Sequence, residues 1–319
     1  IMSNLIRTVV FNNGVKCPMF GLGTWRANGK EAYSCVKEAI AMGYRHIDTA
    51  YYYTNEEEVG KGIADAMSEY KIPREEMFVV TKLPNTCNRP SLVLPAMKES
   101  LKKLNLDYVD LYLVHSPVCI SPIGEVVSLD SKVDENGDPV FDDIDPSVTW
   151  KEMEKCVDLG LAKSIGVSNF NSEQVQSVLN TCRIKPITNQ VESHIMLQQN
   201  KLRNMCQQNN IKLTVFRSLG GQVKLSEHPD MFNNPTVMKI AKKHDRSVSQ
   251  ILLRWHIEKG HILLVKSSNP EHLKSNINIF EFSLTEEDMD ELSKLDSGFR
   301  FCPFNANKPS KQYPFHIEF

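Results

Sequence analysis

Polar and ionisable side chains stand at the ends of several short apolar runs in this sequence. Asp48, Lys82 and His115 each stand at or near the end of one run, and the phenol of Tyr53 follows shortly after Asp48. A buried ammonium beside a phenol lowers the pKa of the phenol toward neutral pH, and a carboxylate fixes the ammonium in place. Taken singly, each residue also fits a structural role, such as a salt bridge between Asp48 and Lys82. If the fold brings the four side chains to one place, their combination predicts proton-transfer chemistry.

The apolar runs that carry these residues have the composition of parallel strands. They are rich in Val, Ile, Leu and Thr, and their hydrophobicity is continuous, which is typical of strands covered by helices. Segments of helical period lie between them, for example the stripe of Ala32, Val36 and Ile40. The eight runs are residues 20–25, 46–50, 78–83, 111–115, 164–168, 187–192, 213–218 and 262–266.

Eight strands, each followed by a helix, predict a closed (β/α)₈ TIM barrel that forms a single domain over residues 1–319. Reacting groups in such barrels gather at the carboxyl ends of the strands, where the polar side chains of this sequence stand. An open doubly wound sheet is the alternative. It would carry a Gly-x-Gly-x-x-Gly turn after the first strand, but Arg26 occupies the third glycine position after Gly21 and Gly23.

Three further segments complete the predicted architecture. Asn12-Asn13-Gly14 predicts the turn of an amino-terminal β-hairpin. Residues 116–146 form a long loop after the fourth strand, and residues 297–319 form an aromatic, proline-containing tail that we expect over the barrel mouth. Loops of this length in a compact domain are usually functional or disordered, and the aromatic content of the tail argues against disorder.

Composition excludes several classes of protein. Of 319 residues, 41% are hydrophobic and 24% charged, and the net charge of −2 gives no reason to bind nucleic acid or an anionic membrane. No apolar run approaches the roughly 20 residues that span a bilayer, and the first residues lack a signal-peptide core. Eight cysteines without a CxxC pair indicate free thiols, and the histidines form no metal-ligand set. We therefore expect a cytoplasmic monomer without a metal.

Several motifs together resemble the aldo-keto reductase superfamily, particularly its aldose reductase and hydroxysteroid dehydrogenase branches. The similarity covers nearly the whole chain and implies a TIM barrel that binds a nicotinamide cofactor without a Rossmann fold. The motifs are Gly21-Leu22-Gly23-Thr24-Trp25, His46-Ile47-Asp48-Thr49-Ala50, Thr81-Lys82-Leu83-Pro84, Gly166-Val167-Ser168-Asn169-Phe170, Asn189-Gln190-Val191-Glu192 and Tyr313-Pro314-Phe315-His316-Ile317-Glu318-Phe319.

The resemblance implies a role for each matching residue. Tyr53 would protonate the carbonyl oxygen, Lys82 would depress its pKa, Asp48 would orient Lys82, and His115 would orient the substrate. Ser168, Asn169 and Gln190 match positions that hold the nicotinamide carboxamide, and Phe216 matches the aromatic residue that stacks on the ring. The remaining cofactor positions are Thr24, Trp25, Arg217, Ser218, Leu219, Lys266, Ser267, His272 and Asn276, and the substrate positions are Trp25, Tyr53, His115, Ser116, Phe299, Cys302 and Phe304.

Three residues depart from the family pattern. His272 stands where an arginine commonly binds the 2′-phosphate, so the preference for NADPH over NADH is expected to be weaker. Arg217 begins an Arg-Ser pair in place of the usual Ser-Pro, and either meets a phosphate or faces solvent. Ser116 replaces a bulky aromatic, which implies a wider substrate pocket unless nearby loops fill the space.

The sequence therefore predicts an NADPH-dependent reductase of small-molecule carbonyl compounds. Its aromatic pocket walls favour a hydrophobic aldehyde or ketone, steroid-like compounds included, over a hydroxylated sugar. The alternative is a catalytically idle barrel kept as a cofactor-binding or structural protein, similar to a lens crystallin. The intact set of Asp48, Tyr53, Lys82 and His115 argues against that alternative.

Overall fold

The computed structural model describes residues 7–220 and 228–319, and residues 1–6, where we find no signal-peptide core, lie outside it. Eight parallel strands close into a barrel in which they neighbour one another in chain order. The open-sheet alternative is therefore wrong, and the TIM-barrel prediction is confirmed. The barrel strands are Phe20–Gly23 (β3), His46–Asp48 (β4), Phe78–Leu83 (β5), Leu111–Val114 (β6), Ile165–Ser168 (β9), Thr188–Glu192 (β10), Lys212–Phe216 (β11) and Ile262–Val265 (β12).

Helices cover the barrel with the apolar stripes that the sequence predicts. Ala32, Val36 and Ile40 are fully or almost fully buried on α1, and capping boxes begin α5, α8 and α10. Two helices, α7 and α8, lie between β11 and β12, where one was expected. The helices are Gly29–Ala41 (α1), Glu56–Tyr70 (α2), Pro90–Leu104 (α3), Pro146–Asp158 (α4), Ser172–Thr181 (α5), Asn200–Gln208 (α6), Pro235–His244 (α7), Val248–Glu258 (α8), Pro270–Ile277 (α9) and Glu286–Ser293 (α10).

The predicted amino-terminal hairpin closes the bottom of the barrel. Its strands Thr8–Val10 (β1) and Lys16–Pro18 (β2) pair antiparallel. Phe11 packs on Phe78 at the start of β5, with ring centroids 6.2 Å apart. The amide of Asn12 donates to the carbonyl of Pro186, just before β10, at 3.0 Å. Solvent is thereby kept from the amino end of the barrel, and the opposite end is left for the site.

The loop after β6 and the tail are both ordered segments. The loop folds into a small antiparallel pair, Cys119–Ile120 (β7) and Phe141–Asp142 (β8). Arg89 holds it to the start of α3 through Asp142 at 2.6 Å. The tail runs across the barrel mouth, as predicted, because Cys302 and Phe304 line the cavity there. No helix within the two described ranges is long and apolar enough to cross a membrane.

Candidate active site

A buried lysine joins an acid and a phenol at the carboxyl end of the barrel. Lys82, the penultimate residue of β5, is 0% exposed, and its Nζ donates to Asp48 Oδ1 at 2.5 Å. It also donates to the Tyr53 hydroxyl at 3.2 Å, and to the carbonyl of Thr49 at 2.8 Å. All three donor positions of the ammonium are therefore in use, which fixes the phenol hydroxyl relative to the carboxylate.

Local structure brings Tyr53 to this position. A single 3₁₀ turn, Tyr51–Tyr53, follows β4 and folds the chain back over the strand end. Asn55 fixes the turn to the loop after β3, since its amide donates to the carbonyls of Thr24 and Ala27 at 2.9 and 2.8 Å. The ring of Tyr53 lies 5.6 Å from the imidazole of His115, measured between centroids. Tyr53 and His115 thus face each other across the floor of the site.

Burial controls the charges of these groups. Burial alone would lower the pKa of Lys82, but Asp48 and Tyr53 outweigh it, so the pKa is raised and the ammonium stays charged. Burial raises the pKa of Tyr53 and Lys82 lowers it, with a net upward shift. The expectation of a lowered pKa for Tyr53 is therefore wrong, because the loss of solvation exceeds the effect of Lys82. Burial and Lys82 both lower the pKa of His115, which is neutral at neutral pH.

A network of amides and hydroxyls extends from Asp48 to the neighbouring strands. Gln190 donates its amide to Asp48 Oδ2 at 2.9 Å, so both carboxylate oxygens are paired. Ser168 donates to the backbone carbonyl of Gln190 at 2.9 Å. Asn169, in the left-handed region at φ 61°, donates to the carbonyl of His115 at 2.9 Å. The three residues therefore belong to the same rigid floor as the acid.

A cavity of about 580 Å³ opens above this floor. Its mouth is unusually aromatic for exposed surface: Trp25, Tyr52, Phe232 and Phe304 are 40, 52, 38 and 39% exposed. Contiguous exposed apolar groups of this kind mark ligand-binding surfaces. The predicted residues on the cavity wall are Trp25, Asp48, Tyr53, His115, Ser168, Asn169, Gln190, Phe216, Arg217, Ser218, Leu219, Lys266, Cys302 and Phe304.

Cationic side chains also line the cavity. Arg26, Arg217 and Lys266 lie on its wall, so Arg217 faces the cavity, where an anionic group can reach it. The ammonium of Lys266 is paired with Glu31 Oε1 of α1 at 3.2 Å. The cavity thus combines a proton-transfer floor, an aromatic mouth and cations that suit the phosphates of a dinucleotide.

Several predicted residues lie outside the cavity wall. The hydroxyl of Ser116 accepts the Val118 N–H at 3.2 Å, and Phe299 packs on Phe301 with centroids 5.0 Å apart. Neither faces the cavity, and the loop after β6 contributes no wall residue in the described part of the chain. Thr24 donates to the carbonyl of Asp48 at 3.0 Å and supports the floor from beneath. Ser267, His272 and Asn276 lie just after β12, with His272 exposed and Asn276 buried on α9.

Residues that we did not predict complete the wall. Arg26 and Tyr52 are next to the predicted residues Trp25 and Tyr53, just after strand ends. Their position in the sequence could therefore have identified them as wall residues. Phe232 comes from the long connection after β11, where the sequence shows no pattern that points to the site. In the ranges that the structure describes, no group of three or more His, Cys, Asp or Glu side chains could hold a metal ion.

Comparison with known proteins gives consistent matches over the whole chain. The model of the aldo/keto reductase family matches residues 19–297. Aldo-keto reductase family 1 member C18 of Rattus norvegicus is 40% identical over 327 residues, covering 100% of both chains. Dihydrodiol dehydrogenase 3 of Bos taurus is 41% identical over 321 residues and 98% of both chains. The solved structure of an aldose reductase from Schistosoma japonicum superposes with a TM-score of 0.91 at 36% identity, over 98% of this chain and 100% of that one.

Proposed function

The chain belongs to the aldo/keto reductase family and is an oxidoreductase, and from this premise we propose that it reduces hydrophobic aldehydes and ketones to alcohols with NADPH. The observation that carries the proposal is the buried Lys82 ammonium, which joins Asp48 and Tyr53 on the floor of the cavity. An idle structural barrel would have no need of a buried, fully paired ammonium beside an accessible phenol.

In the proposed mechanism Tyr53 is the proton donor. Its raised pKa keeps the phenol protonated at neutral pH, and Lys82 stabilises the phenolate that proton transfer leaves behind. Asp48 holds the ammonium in place, since a buried ammonium without a partner carries a large desolvation cost. Neutral His115 stands opposite Tyr53 and orients the carbonyl by a hydrogen bond.

The residues of the cavity fit a nicotinamide dinucleotide. Ser168, Asn169 and Gln190 would hold the carboxamide, Phe216 offers a flat apolar face for the ring, and Arg217 and Lys266 offer charge for the phosphates. When bound, the cofactor supplies the hydride. Ser267, His272 and Asn276 follow β12 close to Lys266 and would surround the adenosine end. NADPH is favoured through Lys266, and less strongly than if His272 were arginine.

The aromatic mouth supports an apolar substrate. Trp25 and Tyr52 stack with centroids 6.0 Å apart and an interplanar angle of 24°, and Phe304 lines the wall with them. This surface suits a ring-containing carbonyl compound better than a hydroxylated sugar. We further propose that the enzyme acts as a cytoplasmic monomer.

An absorbance assay at the nicotinamide band tests the proposal. The purified protein is given NADPH and, side by side, open-chain sugars, aromatic aldehydes and steroid ketones. Oxidation of NADPH that depends on an apolar carbonyl, and that is faster than with the sugars, is the expected result. If no carbonyl compound is reduced although NADPH binds, the idle-barrel alternative is correct and the proposed function is wrong.

A further inference from the structure

A second buried carboxylate lies at the end of β10, outside the catalytic floor. Glu192 is 1% exposed, and the mechanism gives it no part. Its Oε1 accepts the backbone N–H of Phe301 at 2.6 Å, and its Oε2 accepts that of Cys302 at 2.8 Å. A carboxylate that accepts two consecutive N–H groups fixes the geometry of the segment that donates them. One side chain of the barrel thereby holds two consecutive backbone groups of the tail.

His194 also supports this carboxylate. Its Nε2 lies 3.0 Å from Glu192 Oε1, and its ring packs edge-on against Phe301 with centroids 4.9 Å apart. Burial raises the pKa of Glu192, but His194 and the Phe301 N–H outweigh it, so the carboxyl remains ionised. Since a buried charge is costly unless it is fully hydrogen-bonded, the carboxylate favours the arrangement in which both tail N–H groups reach it.

The tied segment contributes two residues to the cavity wall. Cys302 is both a donor to Glu192 and a wall residue, and Phe304 follows two positions later. On the far side, the Tyr313 hydroxyl donates to the carbonyl of Pro303 at 2.5 Å. Residues 301–304 are therefore held from both ends, with Glu192 on the barrel side. Without the Glu192 bonds this segment would keep the contact of Phe301 with His194, but the backbone of Cys302 would lose its hydrogen bond to the barrel.

We propose that Glu192 is a positioning residue for substrate recognition, which holds Cys302 and Phe304 at the cavity wall and so sets the preference for large over small carbonyl substrates. This rests on the proposed function. A substrate that needs the tail wall binds only the fraction of molecules in which the wall is in place, whereas one that reaches only the floor does not depend on it. The reaction itself should be unaffected, because Glu192 touches no group of the catalytic floor.

The chain contains a matched control. Glu154 is a buried glutamate, 7% exposed, and it too accepts two consecutive backbone N–H groups, those of Arg183 and Ile184, at 2.6 and 2.8 Å. These residues precede β10, at the opposite end of the barrel from the cavity. Glu192→Gln and Glu154→Gln both remove one buried negative charge that accepts two backbone N–H groups, at opposite ends of the barrel, and only the first should alter substrate recognition.

The test measures kcat and KM for a polycyclic ketone and for propanal in both variants. For Glu192→Gln we expect KM for the ketone to rise about tenfold, with kcat for propanal and its KM within about twofold of the unmodified enzyme. Glu154→Gln should change neither substrate selectively. Equal effects of Glu192→Gln on both substrates, or no effect on either, would overturn the proposal.

Two readouts do not need activity. Alkylation of Cys302 by iodoacetamide, followed by peptide mass spectrometry, should be at least fivefold faster in Glu192→Gln, with the similarly half-buried Cys182 unchanged as an internal reference. If that variant does not fold, hydrogen exchange of the unmodified protein tests whether Glu192 protects the tail amides. The amides of residues 301 and 302 should then exchange as slowly as those of the helices. Fast exchange of these two amides, or unchanged alkylation of Cys302, contradicts the proposal that Glu192 holds this segment. An enzyme that reduces neither substrate contradicts only the proposed function.

Discussion

Replacing Glu31 with glutamine should tighten the binding of NADPH and leave that of NADH unchanged. Ser268 and Lys266 hold the pKa of Glu31 below its ordinary value, so this residue is ionised at neutral pH. Its carboxylate lies 3.2 Å from the Lys266 ammonium that we assign to the 2′-phosphate. The phosphate of NADPH must therefore compete with Glu31 for that ammonium. Glutamine keeps the shape of the side chain and removes the charge.

The size of the effect follows from the exposure of the pair. The side chains of Lys266 and Glu31 are 23 and 41% exposed, and solvent screens pairs of this kind to about 0.2–1 kcal/mol. Because 1.4 kcal/mol corresponds to a factor of ten, the Kd for NADPH should fall by up to about fivefold. The gain should largely disappear in 1 M salt, where the screening length is about 3 Å.

Fluorescence titration of both cofactors measures the effect directly. Glu69→Gln is a matched control, since Glu69 pairs with Lys37 at 2.7 Å and their side chains are 49 and 31% exposed. It makes the same change of charge between α1 and α2 and should leave both Kd values unaltered. If Glu31→Gln shifts NADPH and NADH equally, or shifts neither, then Lys266 does not bind the 2′-phosphate in competition with Glu31.

Three further predictions concern charge and packing. Because the pKa of Tyr53 lies above its ordinary value of 10.0, kcat/KM for reduction should stay constant to about pH 9 and fall only above about pH 10. A midpoint near pH 7 in the pH profile would show that the effect of Lys82 on this pKa exceeds that of burial. Phe304→Ala should raise KM for a polycyclic ketone several-fold and leave propanal unchanged, and equal KM changes for the two would exclude Phe304 from the wall. Four buried histidines have lowered pKa values in the folded state, so their contribution to stability is complete above the unfolded value near 6.5 and decreases as the pH falls below it, by on the order of 1 kcal/mol for each histidine that stays neutral at pH 5.5. Urea unfolding at pH 7.5 and 5.5 would measure this decrease, and equal stabilities would contradict it. These histidines are His46, His115, His256 and His261.

The strands and the catalytic floor could be predicted from the sequence because their signals are local. Continuous apolar runs identify buried parallel strands, and Asp48 and Lys82 stand at the ends of two of them. Parallel strands in a closed barrel bring those ends to one mouth. No contact between distant residues had to be known to place the acid and the amine together.

The features that escaped prediction depend on distant contacts or on competing energies. Glu192 contacts Phe301, which is 109 residues away in the sequence, and Lys266 contacts Glu31, which is 235 residues away. No periodic pattern in the sequence indicates either pair. Ser116 follows a cavity residue, but its hydroxyl accepts the Val118 N–H where the chain bends at Pro117. The net pKa shift of Tyr53 depends on how far burial exceeds the effect of Lys82, and residue types alone do not give that balance.

The most direct test of the account is the rate of hydride transfer by Tyr53→Phe. This change keeps the ring that packs against Trp25, with centroids 4.9 Å apart, and removes the one hydroxyl assigned to protonate the carbonyl. In a single turnover with NADPH and an aromatic aldehyde, the rate should fall by about 10²–10⁴, while the Kd for NADPH stays within about twofold. A rate within about tenfold of the unmodified enzyme would contradict the assignment of Tyr53 as the proton donor.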